Sequence, residues 1–340
     1  MTKRVNQRRL FAELAAKFGP EVAAAFMEAV RDLTSGVEFQ KLALAIERRD
    51  LEAAIEALHL DAAALLPLEN KIYAAYEAGG QAAVKSMPTA ASIGFRFDPG
   101  NQRAAEWIRR HAANLITGLV DAERRLAREF IAQGMEEGRG PRSVALDLVG
   151  RISRVTGNRE GGLIGLSGQQ RGFVEGAKAE LASTDPALLR RYLTRGRRDR
   201  RYDATVRKAI REGKAIPAET RRVMATRYAA RLSQLRGEVI ARTEALPAIR
   251  AAKREAWQQL VDSGRVEAGS IVRGWHAVGD ARTRDTHAGM NGQQVRGLDA
   301  PFRSPSGALM MYPGDGSLGA PAAELIACRC DESISIRRAE

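Results

Sequence analysis

The sequence predicts a mainly α-helical protein with a small C-terminal α+β module. Apolar residues recur at helical spacing through most of the chain up to Leu260. Alanine, leucine and arginine, which favour helices, are abundant, whereas aromatic residues make up only 5% of the sequence. After Gly264 the apolar residues alternate with a period of two, which is typical of short strands. Composition and periodicity together give this fold class.

Three regions follow from these patterns. Residues 1–100 form an N-terminal helical region that ends at the turn signal Asp98-Pro99-Gly100. Residues 101–236 form a second helical region, which is rich in arginine. Residues 237–340 contain the C-terminal module and the helix that leads into it.

The middle of the chain contains the longest predicted helices. One covers residues 102–138, and a shorter one covers 143–154. Another runs over residues 220–260, and Pro247 is expected to kink or interrupt it.

The C-terminal module begins at about Gly264 and is expected to pack on the preceding helix. Turn residues separate four short segments with strand-like alternation. These segments are residues 271–278, 293–295, 309–312 and 325–336.

The positive charge of the chain is concentrated in one region. Residues 141–236 contain 22 lysines and arginines against 9 acidic residues, a surplus that equals the formal net charge of the whole chain, +13.

The densest part is an arginine cluster made of Arg190, Arg191, Arg195, Arg197, Arg198, Arg200 and Arg201. Arginine-rich segments bind phosphate backbones through bidentate contacts and counterion release. The cluster therefore predicts non-specific contact with double-stranded DNA. The alternatives are a solvated helical face and an arginine bias that reflects a GC-rich genome.

Both cysteines of the chain lie one residue apart in Cys328-Arg329-Cys330. Two cysteines at this spacing do not form a disulfide framework, which fits a reducing compartment such as the cytoplasm. The start of the chain, Met1–Arg4, leads into a charged stretch, so we expect no signal peptide. No run approaches 18 apolar residues, so we expect no membrane partner.

The cysteines share a stretch of sequence with His287, and two readings of this arrangement stay open. In an alternating segment both thiols point to the same side, where they would serve as small buried apolar groups. Alternatively, His287, Cys328 and Cys330 bind a structural zinc ion, with Asp280 or His276 as the fourth ligand.

The same residues permit a catalytic hypothesis. Asp280 and His287 beside a metal ion could activate water for phosphodiester cleavage. The sequence contains no further histidine and asparagine at the spacing of a familiar metal-dependent nuclease motif. We therefore expect no enzymatic activity, and a metal-dependent nuclease or toxin-like effector is the alternative.

Several short motifs in the last hundred residues together resemble the minor head, or head morphogenesis, proteins of tailed bacteriophages, of the phage Mu F type. The motifs are Ile240-Ala241-Arg242-Thr243-Glu244, Trp275, Asp280-x-Arg282-x-Arg284-x-x-His287, Asn291-Gly292, Phe302, Pro313-Gly314-Asp315 and Cys328-Arg329-Cys330. The resemblance covers residues 237–335, and it does not extend to residues 1–90. Compared with the family, residues 150–230 look like an expanded insert.

The resemblance implies a low-copy protein of the virion head, present in the host cytoplasm during assembly. It implies portal and capsid proteins as partners, and action at the portal vertex during procapsid assembly. Within the motifs, Arg242 and Glu244 are expected to anchor the junction between helix and module, with Trp275 as a structural residue. A general nucleic-acid-binding protein unrelated to phages is a further alternative.

Overall fold

The computed structural model describes residues 6–337 and is 64% helical. The prediction of a mainly α protein with a small C-terminal α+β module is confirmed. The expectation about a signal peptide concerns Met1–Arg4, which lie outside the described residues.

Helices dominate the chain up to residue 262, and two short α-helices follow after it in the described residues. In chain order they are α1 Gln7–Ser35, α2 Phe39–Glu47, α3 Leu51–Glu56, α4 Leu66–Ser86, α5 Thr89–Ser92, α6 Gln102–Glu136, α7 Pro141–Val149, α8 Gly168–Ala182, α9 Pro186–Thr194, α10 Asp203–Glu212, α11 Ala218–Asp262, α12 Asp285–Gly289 and α13 Ala322–Leu325. The strands are β1 Arg151–Ile152, β2 Arg159–Glu160, β3 Ile271–His276, β4 Gln294–Arg296, β5 Phe302–Arg303, β6 Leu309–Met310 and β7 Asp331–Ile336.

Three predicted elements differ from the structure. The helix predicted over 143–154 ends at Val149, because Gly150 adopts a φ of 83°, which a helix cannot continue. Pro247 lies inside α11 without interrupting it, so the contacts along this helix outweigh the one backbone hydrogen bond that proline removes. The strand predicted over 325–336 begins only at Asp331, because the chain turns at Ala327, whose φ is 54°.

Two compact units divide the chain, and each draws on separate stretches of sequence. Unit 1 contains the described residues up to Ala25, Leu68–Asn114 and the described residues from Glu238 onward. Unit 2 contains Phe26–Pro67 and Leu115–Gly237. Both units take residues from more than one of the three regions that the composition distinguishes.

Unit 2 is built on a single apolar cluster of helices. Leu42, Ile131, Leu148, Leu163 and Tyr192 are almost completely buried in it. Two helices of this unit, α8 and α9, begin at well-formed caps. Ser167 and Gln170 form a capping box at α8, and the Asp185 carboxylate accepts a hydrogen bond from Ala187 N ahead of α9.

Unit 1 contains the C-terminal module. Its sheet has three antiparallel strands in the order β4–β3–β7, and Trp275 on β3 is paired with Glu332 on β7. Strands β5 and β6 form a separate two-stranded pair. A small apolar core fills the module, and it consists of Trp275, Met290, Phe302, Met310, Cys328 and Cys330.

Buried basic side chains attach the module to α11. Arg250 donates to the carbonyl oxygens of Pro313, Cys328 and Cys330, and Lys253 donates to the carbonyl of Glu332 and to the Asp331 carboxylate. Both side chains are almost completely buried, at 4% and 0% exposure. Because an unpaired buried charge is costly, these contacts must form together if the module is to dock.

A buried ion pair links the two long strands of the sheet. Arg273 NH1 lies 3.4 Å from Glu332 Oε2, and neither side chain is exposed. Burial raises the pKa of Glu332 and lowers the pKa of Arg273, because each charged form loses its hydration. Arg273 also donates to the carbonyl oxygens of Gly297, Met311 and Ala300. One guanidinium thus joins β3 to the loops around the sheet.

Among residues 6–337, no helix combines the length and the apolar character needed to cross a membrane.

The contact between α4 and α11 depends on a glycine. A Cβ atom placed on Gly79 would lie 2.6 Å from the carbonyl oxygen of Ile249, which is backbone and cannot turn aside. We predict that Gly79→Ala lowers the free energy of unfolding by about 1–3 kcal/mol, the usual cost of overpacking. Chemical denaturation measures this change. Gly118→Ala on α6 is the control, because a Cβ there meets nothing within 4 Å and alanine should stabilise the helix by up to ~1 kcal/mol. Equal effects of the two substitutions would contradict the close approach.

Candidate functional site

A buried cluster of one histidine and two cysteines lies inside the C-terminal module. The Nδ1 atom of His287 lies 3.6 Å from Cys328 Sγ and 3.4 Å from Cys330 Sγ. The three potential ligand atoms all lie within 4.8 Å of one another, and all three residues are buried. The cysteines are free thiols. The structure thus brings together three of the four residues that the sequence assigned to a metal site.

The other ring nitrogen of His287 faces a carboxylate. His287 Nε2 lies 2.8 Å from Glu324 Oε2. The angle of this contact is not that of a hydrogen bond, so the contact is electrostatic. Glu324 also accepts hydrogen bonds from Ser306 Oγ at 2.7 Å and from Thr286 Oγ1 at 3.0 Å. Burial favours the neutral acid, but these two hydrogen bonds and the neighbouring His287 outweigh it and lower the pKa of Glu324.

The two thiols are strongly coupled to each other. A hydrogen bond from Cys330 stabilises the Cys328 thiolate and lowers the pKa of Cys328, with help from His287 and from the charge of Arg250. The same bond and burial raise the pKa of Cys330. One thiolate in this pair is therefore easily formed, and a second negative charge beside it requires a compensating cation.

The two residues proposed as a fourth ligand lie outside the cluster. The Asp280 carboxylate forms a bidentate pair with Arg329, with N···O distances of 2.7 and 2.6 Å. This pairing holds the pKa of Asp280 well below its ordinary value. His276 Nε2 lies 2.9 Å from Ser333 Oγ on the neighbouring strand. Asp280 therefore fixes the middle residue of the Cys-Arg-Cys segment, and His276 bridges β3 and β7.

The three motif residues have different surroundings. Trp275 is fully buried and makes edge-to-face contacts with His287 and Phe302, at centroid distances of 5.4 and 5.3 Å. The ion-pair partners of the other two lie outside the module: Glu244 pairs with His111 of α6 at 3.2 Å, and Arg242 lies 3.9 Å from Glu238 on its own helix. From this stretch of α11, Thr243 contacts the module, because its Oγ1 accepts a hydrogen bond from Ala327 N.

Two members of the arginine cluster are bound inside unit 2. Arg195 forms a bidentate pair with the buried Glu180, at 2.6 and 2.9 Å. Arg198 forms a bidentate pair with Asp203, at 2.9 and 2.8 Å. The side chains of Arg195 and Arg198 are only 14% and 13% exposed. These two arginines hold local structure together and offer little surface to a partner.

The remaining members of the cluster are exposed. Arg191 and Arg201 keep most of their side-chain surface in solvent although each has an acidic partner, Glu180 and Asp199 respectively. Arg190 and Arg200 have no ion-pair partner among residues 6–337, and Arg197 is exposed as well.

A buried carboxylate organises part of this surface. Asp199 is 1% exposed and binds three arginines: Arg201 at 2.7 Å, Arg227 at 3.0 Å and Arg231 at 3.4 Å. The hydrogen bond from Arg201, followed by those from Arg227 and the charge of Arg231, outweighs burial and holds the pKa of Asp199 far below its ordinary value. One negative charge thus orients three guanidinium groups, each of which is at least 40% exposed.

Sequence reasoning missed several of these residues. Glu324 gave no signal, because it lies 37 positions beyond His287 in a four-residue helix. Arg227 and Arg231 carried a weak signal, since a spacing of four places them on one face of α11. Asp199 lies between Arg198 and Arg200 in the sequence and was not singled out there, although it positions three arginines.

The lowered pKa of Asp199 gives a prediction about pH. A carboxyl whose folded pKa is depressed stabilises the fold above its unfolded pKa of about 3.9, and this contribution is lost as the pH falls. At pH 7 we expect Asp199→Asn to lower the free energy of unfolding by about 1–3 kcal/mol. Breaking a fully buried ion pair would cost more, but the three arginines around Asp199 are partly solvated. The difference should narrow below about pH 4.

Denaturation of both proteins over a pH series measures this difference. Asp61→Asn, at an exposed aspartate in the same unit, serves as the control and should change stability by less than about 0.5 kcal/mol. A difference that stays constant from pH 7 to acid would contradict the assignment.

Comparison with known proteins gives one match. No curated protein sequence matches the chain, and no solved structure matches its fold. Residues 189–333 match the model of the family described as phage Mu protein F like protein. The match begins within the arginine-rich region and includes His287, Cys328 and Cys330. The match over residues 189–333 confirms the resemblance to phage head morphogenesis proteins of the Mu F type that the sequence motifs indicate.

Proposed function

We propose that this chain is a minor head protein of a phage or prophage, which acts in procapsid assembly at the portal vertex and contacts packaged double-stranded DNA. The observation that carries this proposal is the family match, which covers both the arginine cluster and the C-terminal module. The partners are then portal and capsid proteins. The site of action is the virion head, with assembly in the host cytoplasm.

The charge distribution supports contact with DNA. Exposed arginines from α9 and the segment after it, Arg190, Arg191, Arg200 and Arg201, lie in the same unit as Arg227 and Arg231. Asp199 neutralises one of the three charges around it, so two positive charges remain there. Guanidinium groups that a carboxylate already orients lose less side-chain entropy when they bind phosphate.

The contact should be independent of DNA sequence. Phosphate contacts position a protein on a duplex without reading its bases. The cluster also offers little aromatic surface on which a base could stack. Tyr192 is fully buried, and the guanidinium of Arg227 lies over the ring of Tyr202, with its carbon 5.4 Å from the ring centroid. We therefore restrict the proposed DNA contact to exposed arginines and exclude Arg195 and Arg198 from it.

We propose no catalytic role for the module. The nuclease hypothesis needs Asp280 beside the metal ligands, whereas the Asp280 carboxylate is paired with Arg329. An arginine-bound carboxylate with a lowered pKa is a poor general base.

The assembly role is tested by incorporation. When the tagged chain is produced together with the portal and capsid proteins of its own phage, we expect it to sediment with procapsids and to be lost from them when the portal is omitted. Its presence in portal-free shells at the same level would contradict action at the portal vertex.

The DNA contact is tested by a variant in which Arg190, Arg191, Arg200 and Arg201 are replaced by alanine. Because each phosphate contact contributes about 0.9 to the slope of log K against log salt, we expect the slope to fall by up to about 4 and binding to weaken at low salt. Gel-shift titrations with duplexes of unrelated sequence measure both quantities.

The matched control replaces Arg96, Arg109, Arg125 and Arg296, four exposed arginines without an ion-pair partner among residues 6–337. It removes the same charge and should leave the slope nearly unchanged. A cluster variant that binds DNA normally but no longer enters procapsids would show that this surface docks on an acidic head protein, and the DNA proposal would fall.

A further inference from the structure

The histidine and cysteine cluster has the spacing of a tetrahedral zinc site. Zinc lies about 2.3 Å from thiolate sulfur and about 2.0–2.1 Å from imidazole nitrogen. At a tetrahedral angle these lengths place sulfur and nitrogen about 3.6 Å apart. The two observed distances from His287 Nδ1 to sulfur are 3.6 and 3.4 Å. Both sulfurs therefore lie where a shared metal ion would hold them.

Without a metal ion the three side chains would have to form a hydrogen-bonded chain, with Cys330 bonded to Cys328 and Cys328 bonded to His287. A neutral imidazole nitrogen without a proton has one lone pair, so it can accept from one thiol and not from two. Both cysteine sulfurs nevertheless face the same atom, His287 Nδ1. A metal ion removes this conflict because it binds the nitrogen and both thiolates at once.

The surroundings prepare His287 to act as a ligand. Metal-binding histidines commonly direct their second ring nitrogen at a carboxylate, which fixes the ring and its tautomer. Glu324 occupies this place at 2.8 Å from Nε2, and Thr286 and Ser306 hold Glu324 in turn. A proton on Nε2 leaves the Nδ1 lone pair directed towards the sulfurs.

The backbone of the cysteine segment is also fixed in advance. Arg250 donates to the carbonyl oxygens of Cys328 and Cys330, and Arg329 between them is bound to Asp280. Two thiols one residue apart are thereby held in place before any ion arrives. Such preorganisation lowers the cost of binding.

Charge balance also favours a divalent cation. Two thiolates carry two negative charges, which a zinc ion neutralises, so the buried site gains no net charge. The neighbouring Trp275, Met290, Phe302 and Met310 are apolar, and the single positive charge of Arg250 can compensate only one of two thiolates. The soft sulfur and imidazole donors select zinc over magnesium or calcium.

We propose that His287 Nδ1, Cys328 Sγ and Cys330 Sγ bind one zinc ion, with a water molecule as the fourth ligand. Within residues 6–337, no other histidine, cysteine or carboxylate atom joins the group of ligand atoms. On binding, both thiols lose their protons to solvent, and two zinc–sulfur bonds and one zinc–nitrogen bond form. The inference stands on the module alone and does not require the proposed role in the phage head.

Elemental analysis of the full chain, purified without an affinity tag or chelator, tests the proposal. We expect about one zinc ion per chain, because one set of three ligands binds one ion. X-ray absorption should find two sulfur donors and two nitrogen or oxygen donors. Circular dichroism shows whether the purified chain is folded. A folded chain that contains no zinc and takes up none on titration would overturn the proposal, and the cysteines would then serve only as buried apolar groups.

Substitutions separate ligands from neighbours. Cys328→Ser and Cys330→Ser should each abolish stoichiometric zinc. Glu324→Gln should keep one ion in excess zinc but weaken binding by about 10–100-fold, as expected of a residue that positions a ligand.

The matched control His276→Gln should retain both stoichiometry and affinity. Asp280→Asn should retain the stoichiometry in excess zinc, because Asp280 positions Arg329 and does not bind the ion. Loss of zinc in either of these two variants, or a third sulfur donor, would overturn the three-residue ligand set.

The wild-type chain provides a second measurement if the cysteine variants do not fold. Zinc is removed with a chelator, and Co²⁺ is added to the same protein. Thiolate-to-cobalt charge transfer together with the visible bands of tetrahedral cobalt is the expected result. An octahedral cobalt spectrum without charge transfer would overturn the assignment of the two cysteines.

Discussion

The C-terminal module depends on the burial of basic side chains that project from α11. Arg250 and Lys253 lie almost completely out of solvent, and their donors are used by backbone carbonyls and one carboxylate of the module. A buried guanidinium is tolerated only when its donors are satisfied, so the position of the cysteine segment is coupled to the position of the helix. The placement of the His287, Cys328 and Cys330 cluster follows from this constraint. Arg250 binds the cysteine carbonyls, while Trp275 packs against the ring of His287 and Phe302 packs against Trp275.

Charge serves two purposes in the arginine-rich region of unit 2. Some arginines, such as Arg195 and Arg198, are bound by buried acids and stabilise the helices. Others surround Asp199 or point into solvent, where phosphate can reach them. Net charge predicts a polyanion partner for the region as a whole. Only the ion pairs distinguish the residues that would meet the partner from the residues that hold the unit together.

Much of the fold follows from sequence, because helical periodicity and the change in pattern after Gly264 reflect local physics. The convergence of His287 with the cysteines was also predictable, since few residue types combine in this way. The roles of Glu324, Arg250 and Lys253 were not, because long-range contacts leave no periodic trace. Arg242 and Glu244 were expected to anchor the junction with the module. Both are half-buried charges on α11, but their ion-pair partners, Glu238 on α11 and His111 on α6, lie outside the module. Asp280 is a similar case, because a carboxylate near potential ligands proved to be the partner of Arg329.

Hydrogen exchange of the Arg250→Lys variant tests the central role of the buried donors most directly. Lysine keeps the charge but lacks the planar fork that reaches the carbonyls of Pro313, Cys328 and Cys330 together. We predict faster amide exchange along β7, Asp331–Ile336, while protection of α8, Gly168–Ala182, in unit 2 stays at the level of the unsubstituted protein. Unchanged exchange along β7 would show that the module is positioned without Arg250 and would contradict the account.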